Sequence, residues 1–257
     1  MSFIKYKLEN RVATITLNRP DKRNAFNSEM VAELHAALVK ADKDINVKVV
    51  ILKANGDAFC AGADLAYLKE LSQYTYAENL ADSMQLKEMF QQIYTMTKVV
   101  IAMVEGYAIA GGAGLATVCD LVFSVPEAKF GFTEVKIGFV PAIVSVFAIR
   151  KFGESHTKRL LLSGELITAD DAKQIGLVNF IVSKESIDQE VRNYTDNLVT
   201  KTSSNSLALT KSLISEIQQK ELGPALIYAA ELNAKARDSA DCKKGINAFL
   251  NKEKNIW

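Results

Sequence analysis

Two stretches rich in small residues could bring backbone N–H groups to one ligand. NGDAFCAGADL at 55–65 follows the apolar run 47–54, and AIAGGAGLATV at 108–118 follows the apolar run 98–106. Each stretch comes after a buried-strand pattern and opens a helical one, so both can direct donors at the same atom. Two such donors form an oxyanion hole, and losing one from an active site typically costs about 2.7–4 kcal/mol. Close packing is an equally good explanation of one such loop, but the pairing of two favours a functional site.

Glu134 is the candidate acid or base. It lies in FGFTEVKIGFV at 130–140, and its apolar neighbours there are Phe130, Phe132, Val135, Ile137 and Phe139. Apolar surroundings disfavour the charged form of a carboxyl group. We therefore expect the pKa of Glu134 to be raised toward neutrality, as a group that both takes and gives a proton requires. Taken alone, a glutamate in such a run is more often a surface residue of a strand or helix.

Other catalytic motifs are absent from the sequence. From Gly112 the chain reads GAGLAT, with Thr117 where a dinucleotide-binding fingerprint has its third glycine, and no P-loop, nucleophile elbow or HExxH motif occurs. His35 and His156 have no partner motif, so nucleophile–histidine catalysis is not expected. The three cysteines, at 60, 119 and 242, lack CxxC spacing. This is typical of reduced thiols and argues against disulfides and against a metal site.

Composition limits the partners and the compartment. The chain has 257 residues, of which 49% are hydrophobic, and a formal net charge of +1. That length can bury a sizeable core, and the balanced charge gives no reason to expect nucleic acid or an anionic membrane as a partner. The first ten residues lack a signal-peptide core, and the longest apolar run, PAIVSVFAI at 141–149, is too short to span a bilayer. We expect a cytoplasmic protein.

The order of elements predicts an α/β chain. Two strands are expected within 2–18, then a helix with Ser28 as its N-cap, a strand at 47–54, a second long helix, and a strand at 98–106. Strand, glycine loop and helix thus follow one another twice, which favours mostly parallel strands. From about residue 185 the pattern is helical, with helices expected at 186–201, 206–221, 225–237 and 240–253.

A set of motifs along nearly the whole chain resembles the crotonase (enoyl-CoA hydratase/isomerase) superfamily. These motifs are RPDKRNA at 19–25, FCAGADL at 59–65, GYAIAGGAGLATVCDL at 106–121, FGFTEVKIGFVP at 130–141, SGELITADDAKQIGLV at 163–178 and FLNKEK at 249–254. The resemblance implies a spiral of ββα turns over residues 1–195 and a helical trimerisation region over residues 196–257. It also implies a homotrimer or homohexamer that binds acyl-CoA thioesters and stabilises an enolate.

The resemblance assigns roles to particular residues. The oxyanion donors fall on the backbone N–H groups of Ala63 and Gly111, and the acid/base falls on Glu134. Contacts to coenzyme A fall on the loops 22–25 and 61–65, and on a lysine from a neighbouring subunit. The candidate residues for these contacts are Lys22, Arg23, Ala25, Ala61, Asp64, Leu65 and Lys252. Coenzyme A is part of the substrate, so no separate cofactor and no metal are expected.

The chain departs from the family pattern at two places. Family hydratases typically carry a second glutamate on the helix after the glycine tract, where this chain has Gly114. Many also have a glycine-rich stretch after the position of Pro141, where this chain reads AIVSVF. One carboxylate can move a proton between carbons, or activate a water that another group holds. Thr133, Tyr107 or a water network are the candidates for holding that water.

Three functions therefore remain open from the sequence. A 2-enoyl-CoA hydratase with a single glutamate ranks first, because the motifs resemble bacterial hydratase-like proteins of acyl-CoA degradation, including methylglutaconyl-CoA hydratases of leucine breakdown. A Δ3,Δ2-enoyl-CoA isomerase ranks second. A crotonase fold used as a non-catalytic binding or RNA-binding module is more distant, since near-neutral charge and the presence of Glu134 argue against it.

Overall fold

A computed structural model describes residues 2–253 and residue 257. Its strands are β1 (Ile4–Glu9), β2 (Val12–Leu17), β3 (Val49–Ala54), β4 (Ala58–Cys60), β5 (Val99–Val104), β6 (Tyr107–Ile109), β7 (Leu121–Ser124), β8 (Lys129–Gly131), β9 (Leu166–Thr168) and β10 (Phe180–Ile181). Its helices are α1 (Ser28–Lys43), α2 (Leu65–Leu71), α3 (Tyr76–Thr95), α4 (Gly111–Val118), α5 (Ala142–Ser163), α6 (Ala169–Gln174), α7 (Ile187–Lys201), α8 (Ser204–Ile217), α9 (Leu222–Asp238) and α10 (Ala240–Leu250). Short 3-10 turns cover Pro20–Lys22 and Glu134–Ile137.

Two sheets organise the core. The larger sheet has the strand order β1-β2-β3-β5-β7-β10, in which the β1–β2 hairpin is antiparallel and the remaining pairs are parallel. The smaller sheet has the order β4-β6-β8-β9, with β9 antiparallel to its neighbour. β3 and β5 occupy the middle of the larger sheet, and their apolar residues Val50, Leu52 and Ile101 are fully buried, as expected of strands covered on both faces.

Successive turns of the chain alternate between the two sheets. β3, β5 and β7 each add a strand to the larger sheet, and the short strands β4, β6 and β8 that follow them build the smaller sheet before a helix returns the chain. The α/β class and the spiral of ββα turns are therefore confirmed. The strand patterns at 47–54 and 98–106 correspond to β3 and β5.

The first helix begins one residue away from the predicted cap. The sequence predicts Ser28 as the N-cap, but Ser28 is the first helical residue, and the Asn27 side chain accepts the hydrogen bond from the Met30 N–H at 2.9 Å. Asparagine and serine are equally good at this position, so the pattern alone could not separate them. The predicted apolar stripe is confirmed, since Leu34 and Leu38 are fully buried.

Two lysines with little solvent exposure bind the C-terminal helices to the core. Lys48, beside β3, donates to the Val199 carbonyl at 2.9 Å near the end of α7. Lys211 of α8 donates to the Ile93 carbonyl at 2.8 Å and pairs with Asp120 at 2.7 Å. Each cation thus meets carbonyl groups at a helix C-terminus, where positive charge is stabilising.

The proposed boundary between residues 195 and 196 falls inside α7, and the division into two regions stays a prediction.

Within the described residues, no helix combines the length and the apolar character that crossing a bilayer demands.

Candidate active site

The carboxyl ends of three parallel strands meet at one edge of the smaller sheet. β6 pairs in parallel with β4, through Ala108 and Cys60, and with β8, through Ile109 and Gly131. Parallel strands end at the same edge, so the segments that follow them are brought together. The candidate catalytic residues that follow β4, β6 and β8 are, in order, Ala63, Gly111 and Glu134.

The two loops that carry the candidate donors touch each other. Gly62 has φ +86, and a Cβ atom on it would lie 2.9 Å from the Ala110 Cβ and 3.8 Å from the Gly111 nitrogen. Both the left-handed backbone and the missing side chain are therefore needed at position 62. The loop after β4 consequently packs directly against the start of α4.

Both candidate donors have a free N–H group. Among the residues that the structure describes, neither the Ala63 N–H nor the Gly111 N–H has a hydrogen-bond acceptor. Gly111 is the first residue of α4, and the N–H groups of a first helical turn have no partner within the helix. The Ala110 carbonyl, which shares a peptide group with the Gly111 N–H, accepts from the Gly114 N–H at 3.0 Å.

Ala110 fixes the direction of the Gly111 N–H. Its backbone has φ 50 and ψ −123, a conformation that residues other than glycine rarely adopt. Its own N–H donates to the Gly131 carbonyl of β8 at 2.7 Å. The strained turn is thus held by the strand that leads to Glu134.

Glu134 carries a buried oxygen without a partner. Its Oε2 atom is buried and makes no hydrogen bond in the described part of the chain. Burial raises the pKa of this carboxyl above its usual value of 4.5, with a backbone hydrogen bond opposing the shift. The expected direction of the pKa shift is therefore confirmed. An unpaired buried carboxyl oxygen is free to bond to a ligand.

The apolar residues that flank Glu134 in the sequence differ in their burial. Phe130 and Phe132, which precede it, are fully buried. The neighbours that follow it, in the 3-10 turn and the loop beyond, are exposed, and they are Val135, Ile137 and Phe139. Of the five apolar neighbours in the sequence, two are buried and three are exposed.

Two glycines of the tract serve packing. A Cβ atom on Gly112 would lie 2.1 Å from the Cys60 carbonyl oxygen, and one on Gly114 would lie 2.1 Å from Val144 Cγ1 and 3.4 Å from Phe90. Neither position can take a side chain unless its neighbours move. The close-packing alternative therefore explains Gly112 and Gly114, while Gly111 retains room beside its free N–H.

The loops predicted to contact coenzyme A lie side by side. The Ala61 N–H donates to the Arg23 carbonyl at 3.0 Å. Lys22 and Arg23 are exposed in the turn before this contact, and Ala25 is buried. The structure therefore brings the two predicted segments together and leaves the two cations facing solvent.

The remaining predicted contact residues have different surroundings. Asp64 is the N-cap of α2, where its Oδ1 accepts from the Ala66 N–H at 2.7 Å. Leu65, the next residue, is 84% exposed. Lys252 lies just past α10, is exposed, and donates its backbone N–H to the Phe249 carbonyl. A role for Lys252 requires a neighbouring subunit and stays a prediction.

The two side chains that are candidates for holding the water lie on different segments. Tyr107 is the first residue of β6, so it lies at the opposite end of this strand from Gly111. Thr133 directly precedes Glu134 and makes no capping hydrogen bond with its side chain. A water-holding role for Thr133 or for Tyr107 stays a prediction.

The buried thiols are not nucleophiles at neutral pH. Burial raises the pKa of both Cys60 and Cys119 to about 12, so each is protonated in the folded protein. Within the described ranges, no group of three or more His, Cys, Asp or Glu side chains is arranged to hold a metal ion.

Two residues of the RPDKRNA motif organise the site and were not singled out from the sequence. Asn24 has φ 53, and its buried side chain donates to the Ala58 carbonyl of β4 at 2.8 Å. Arg19 donates to the Ala25 carbonyl at 3.1 Å and pairs with Asp64 at 2.7 Å. The available signal was an asparagine after a short basic turn, a common left-handed position. Arg19 gave no comparable signal, because its partners lie on two separate loops.

Comparisons with known proteins agree with this geometry. The family model described as "Enoyl-CoA hydratase/isomerase" matches residues 7–257. A "Putative enoyl-CoA hydratase" of Thermus thermophilus is 43% identical, over 94% of this chain and 95% of that protein. The "Crotonyl-CoA hydratase" of Syntrophomonas wolfei is 33% identical, over 96% of this chain and 94% of its own length.

The fold has equally extensive counterparts among solved structures. An enoyl-CoA hydratase from Shewanella pealeana superposes with a TM-score of 0.94 at 29% identity, over 100% of this chain and 96% of that one. An enoyl-CoA hydratase from Mycobacterium smegmatis gives the same TM-score at 29% identity, over 100% and 99% of the two chains. With the family match and the curated relatives, this shows that the chain belongs to the enoyl-CoA hydratase/isomerase family and is an enzyme of the enoyl-CoA hydratase type.

Proposed function

We propose that the protein adds water across the double bond of a 2-enoyl-CoA thioester, with Glu134 as the single acid/base. The supporting observation is the convergence at one sheet edge of two free N–H groups and a buried, unpaired carboxyl oxygen. The thioester oxygen accepts hydrogen bonds from Ala63 and Gly111. Fixed donors at this oxygen stabilise the charge that develops on it during the reaction.

The proton moves through one carboxylate in two steps. The Glu134 carboxylate takes a proton from water while the water oxygen bonds to C3. The electrons of the C2=C3 double bond then form an enolate whose charge lies on the thioester oxygen. The Glu134 carboxylic acid returns the proton to C2, which restores the carboxylate. A raised pKa suits both steps, because the group must accept and release a proton near neutral pH.

Hydration is preferred over isomerisation because the named relatives are hydratases. The test is a pair of assays on one preparation. Crotonyl-CoA hydration is followed by loss of the conjugated thioester absorbance, and double-bond migration is followed with a 3-enoyl-CoA. We expect saturable hydration together with saturable binding of acetoacetyl-CoA in calorimetry. Migration without hydration would assign the isomerase function instead, and no acetoacetyl-CoA binding at millimolar ligand would contradict a thioester site.

Coenzyme A itself is proposed to lie along the joined loops 22–25 and 61–65. Lys22 and Arg23 are exposed there, and cations are the groups that meet phosphates. The backbone near Ala25 and Ala61 is proposed to contact the adenine. Asp64 and Leu65 belong to the same loop, at the start of α2.

Removing the Gly111 donor should lower turnover far more than adding a methyl group there. Gly111→Pro lacks the N–H, and losing one oxyanion donor lowers kcat by about 10²–10³-fold. Gly111→Ala keeps the N–H, and its Cβ would lie 3.4 Å from Phe26, an ordinary contact. Steady-state kinetics of both variants, with folding checked by circular dichroism, measure the difference. Equal losses in the two variants would indicate packing rather than hydrogen bonding.

The pH dependence of hydration should reflect the raised pKa of Glu134. The base must be charged to accept a proton from water, so kcat/KM should rise with pH through an apparent pKa above 4.5. The same shift makes the folded state bind this proton more tightly than the unfolded state. The stability from this group is therefore present below pH 4.5 and lost as pH rises through the folded-state pKa. A pH–rate profile with its acidic midpoint at or below 4.5 would contradict the assignment.

The C-terminal helices are proposed to build a homotrimer or homohexamer. Exposed apolar side chains on α9 and α10 are Leu222, Leu226, Ile227, Ile246, Phe249 and Leu250. Helix faces of this kind usually lie in an interface. Light scattering at micromolar concentration should give the mass of three or six chains. A monomer under these conditions would leave Lys252 without a role at a neighbouring site.

A further inference from the structure

A series of hydrogen bonds connects the Arg19 guanidinium to the peptide group that carries the Ala63 N–H. Arg19 Nη1 donates to the Ala25 carbonyl at 3.1 Å. The Phe26 N–H, in the same peptide group as that carbonyl, donates to the Gly62 carbonyl at 2.6 Å. The Gly62 carbonyl shares its peptide group with the Ala63 N–H. Two successive peptide groups therefore connect the guanidinium to the proposed donor.

This series of hydrogen bonds both orients and polarises the Ala63 N–H. In a trans peptide the C=O and N–H bonds point in opposite directions, so fixing the Gly62 carbonyl on Phe26 directs the Ala63 N–H away from it. The Asp64 N–H donates to the Phe26 carbonyl at 2.8 Å, which fixes the next peptide group as well. Hydrogen bonds in a chain strengthen one another, and a charged donor at one end strengthens all of them.

The cation is largely shielded from water. The Arg19 side chain is 16% exposed and its partner Asp64 is 7% exposed. The Phe3 ring covers the guanidinium at 5.4 Å from its centroid. Shielding of this kind lets the charge act on nearby peptide dipoles more strongly than it would in bulk water.

The second candidate donor, the Gly111 N–H, is polarised in a different way. Gly111 begins α4, so its N–H lies at the positive end of a helix dipole. Ala63 precedes Asp64, the N-cap of α2, so its N–H does not belong to a helix turn. On the Ala63 side the polarising contact is the hydrogen bond from Arg19, which is paired with Asp64, to the Ala25 carbonyl.

We propose that Arg19 is a positioning residue that strengthens the Ala63 oxyanion donor through the peptide groups 25–26 and 62–63. The inference rests on the proposed function, because it needs a thioester oxygen at Ala63. Arg19 touches neither the substrate nor the reacting atoms. It is proposed to act through these backbone hydrogen bonds, while its ion pair with Asp64 holds the guanidinium in place.

The direct readout is the carbonyl stretching frequency of bound acetoacetyl-CoA, isotope-labelled at its thioester carbonyl. Hydrogen bonds to this oxygen lower the frequency below that of the free ligand. With Arg19→Gln we expect the frequency of the bound ligand to rise part of the way toward that of the free ligand. With Arg19→Lys, which keeps the charge, we expect a smaller rise. In crotonyl-CoA hydration, Arg19→Gln should lower kcat about tenfold, less than loss of a whole donor, with KM within about threefold. An unchanged frequency and kcat in Arg19→Gln would overturn the proposal.

Two controls separate this effect from a general loss of packing. Arg159→Gln breaks a similar 2.7 Å ion pair, with Glu165, at an exposed position, and it should leave frequency and kcat unchanged. Arg19→Gln combined with Asp64→Asn removes the carboxylate that the single change strands. The double variant should keep the frequency of Arg19→Gln, and a return to the wild-type frequency would assign the loss to the stranded charge.

The wild-type protein separates failure of this inference from failure of the proposed function. If bound acetoacetyl-CoA shows the frequency of the free ligand in the wild type, no oxyanion hole forms and both proposals are wrong. If the wild type lowers the frequency and Arg19→Gln lowers it equally, the proposed site stands and the role of Arg19 is wrong.

Discussion

Glu134→Gln is expected to abolish measurable hydration of crotonyl-CoA, with kcat reduced by about 10²–10⁴-fold or more. An amide cannot take a proton from water or return it to C2, and this carboxyl is the single proton carrier in the proposed reaction. The side chains have nearly the same shape, and the buried Oε2 atom has no protein partner to lose. Folding and acetoacetyl-CoA affinity should therefore be retained.

The matched control for this change is Glu127→Gln. Glu127 precedes β8, on the other side of this strand from Glu134, and is exposed, so the substitution should leave kcat unchanged. Steady-state hydration and double-bond migration assays on both variants measure the effect. If Glu134→Gln keeps most of its activity on every thioester tested, the single-glutamate mechanism is wrong.

Gly114→Glu is expected to destabilise the protein by several kcal/mol instead of restoring a second carboxylate. From the resemblance alone, this change is expected to supply the second glutamate of the family pattern. In the structure, a Cβ atom at position 114 would lie 2.1 Å from Val144 Cγ1. Overpacking costs about 1–3 kcal/mol, and a carboxylate buried without a partner adds to this.

The remedy for this clash lies at position 144. Gly114→Glu combined with Val144→Gly removes the overlapping side chain, and we expect it to recover much of the lost stability and to raise hydration relative to the single variant. Gly114→Ala combined with Val144→Ala is the control that changes volume without adding a carboxylate. Thermal unfolding and crotonyl-CoA hydration are the measurements. A Gly114→Glu protein as stable as the wild type would show that Val144 does not limit this position.

The two departures from the family pattern meet at one place in the fold. Gly114 and the AIVSVF stretch lie far apart in the sequence, and each looks like an independent loss. Val144 occupies the space that a side chain at position 114 would need. Sequence reasoning could name both departures, but only the packing of α4 against α5 connects them.

The sequence predicted those features that repeat over many residues. The runs 47–54 and 98–106 became β3 and β5, and the apolar stripe of α1 is buried as expected. The strands β4, β6 and β8 have three residues each, too few to show an alternating pattern. These short strands nevertheless align the three candidate catalytic residues.

Site chemistry was predictable where it depends on residue type and not where it depends on contacts. The raised pKa of Glu134 followed from its apolar neighbours, although Val135, Ile137 and Phe139 proved exposed. The link from Arg19 to Ala63 depends on peptide groups of two distant loops. No side-chain pattern records which carbonyl a backbone N–H will meet.

The pairing of Ala110 with Gly131 has a consequence for how the protein is made. β6 obtains its neighbours from both directions along the chain, because β4 is synthesised before it and β8 after it. Until β8 emerges from the ribosome, the turn that orients the Gly111 N–H lacks the hydrogen bond that holds it. Pairing of sequence-distant strands also requires closing long loops, which is slow. A growing chain therefore obtains the partner of the Ala110 N–H and the Glu134 carboxyl from one segment, 131–134, so we expect both parts of the proposed site to be completed together.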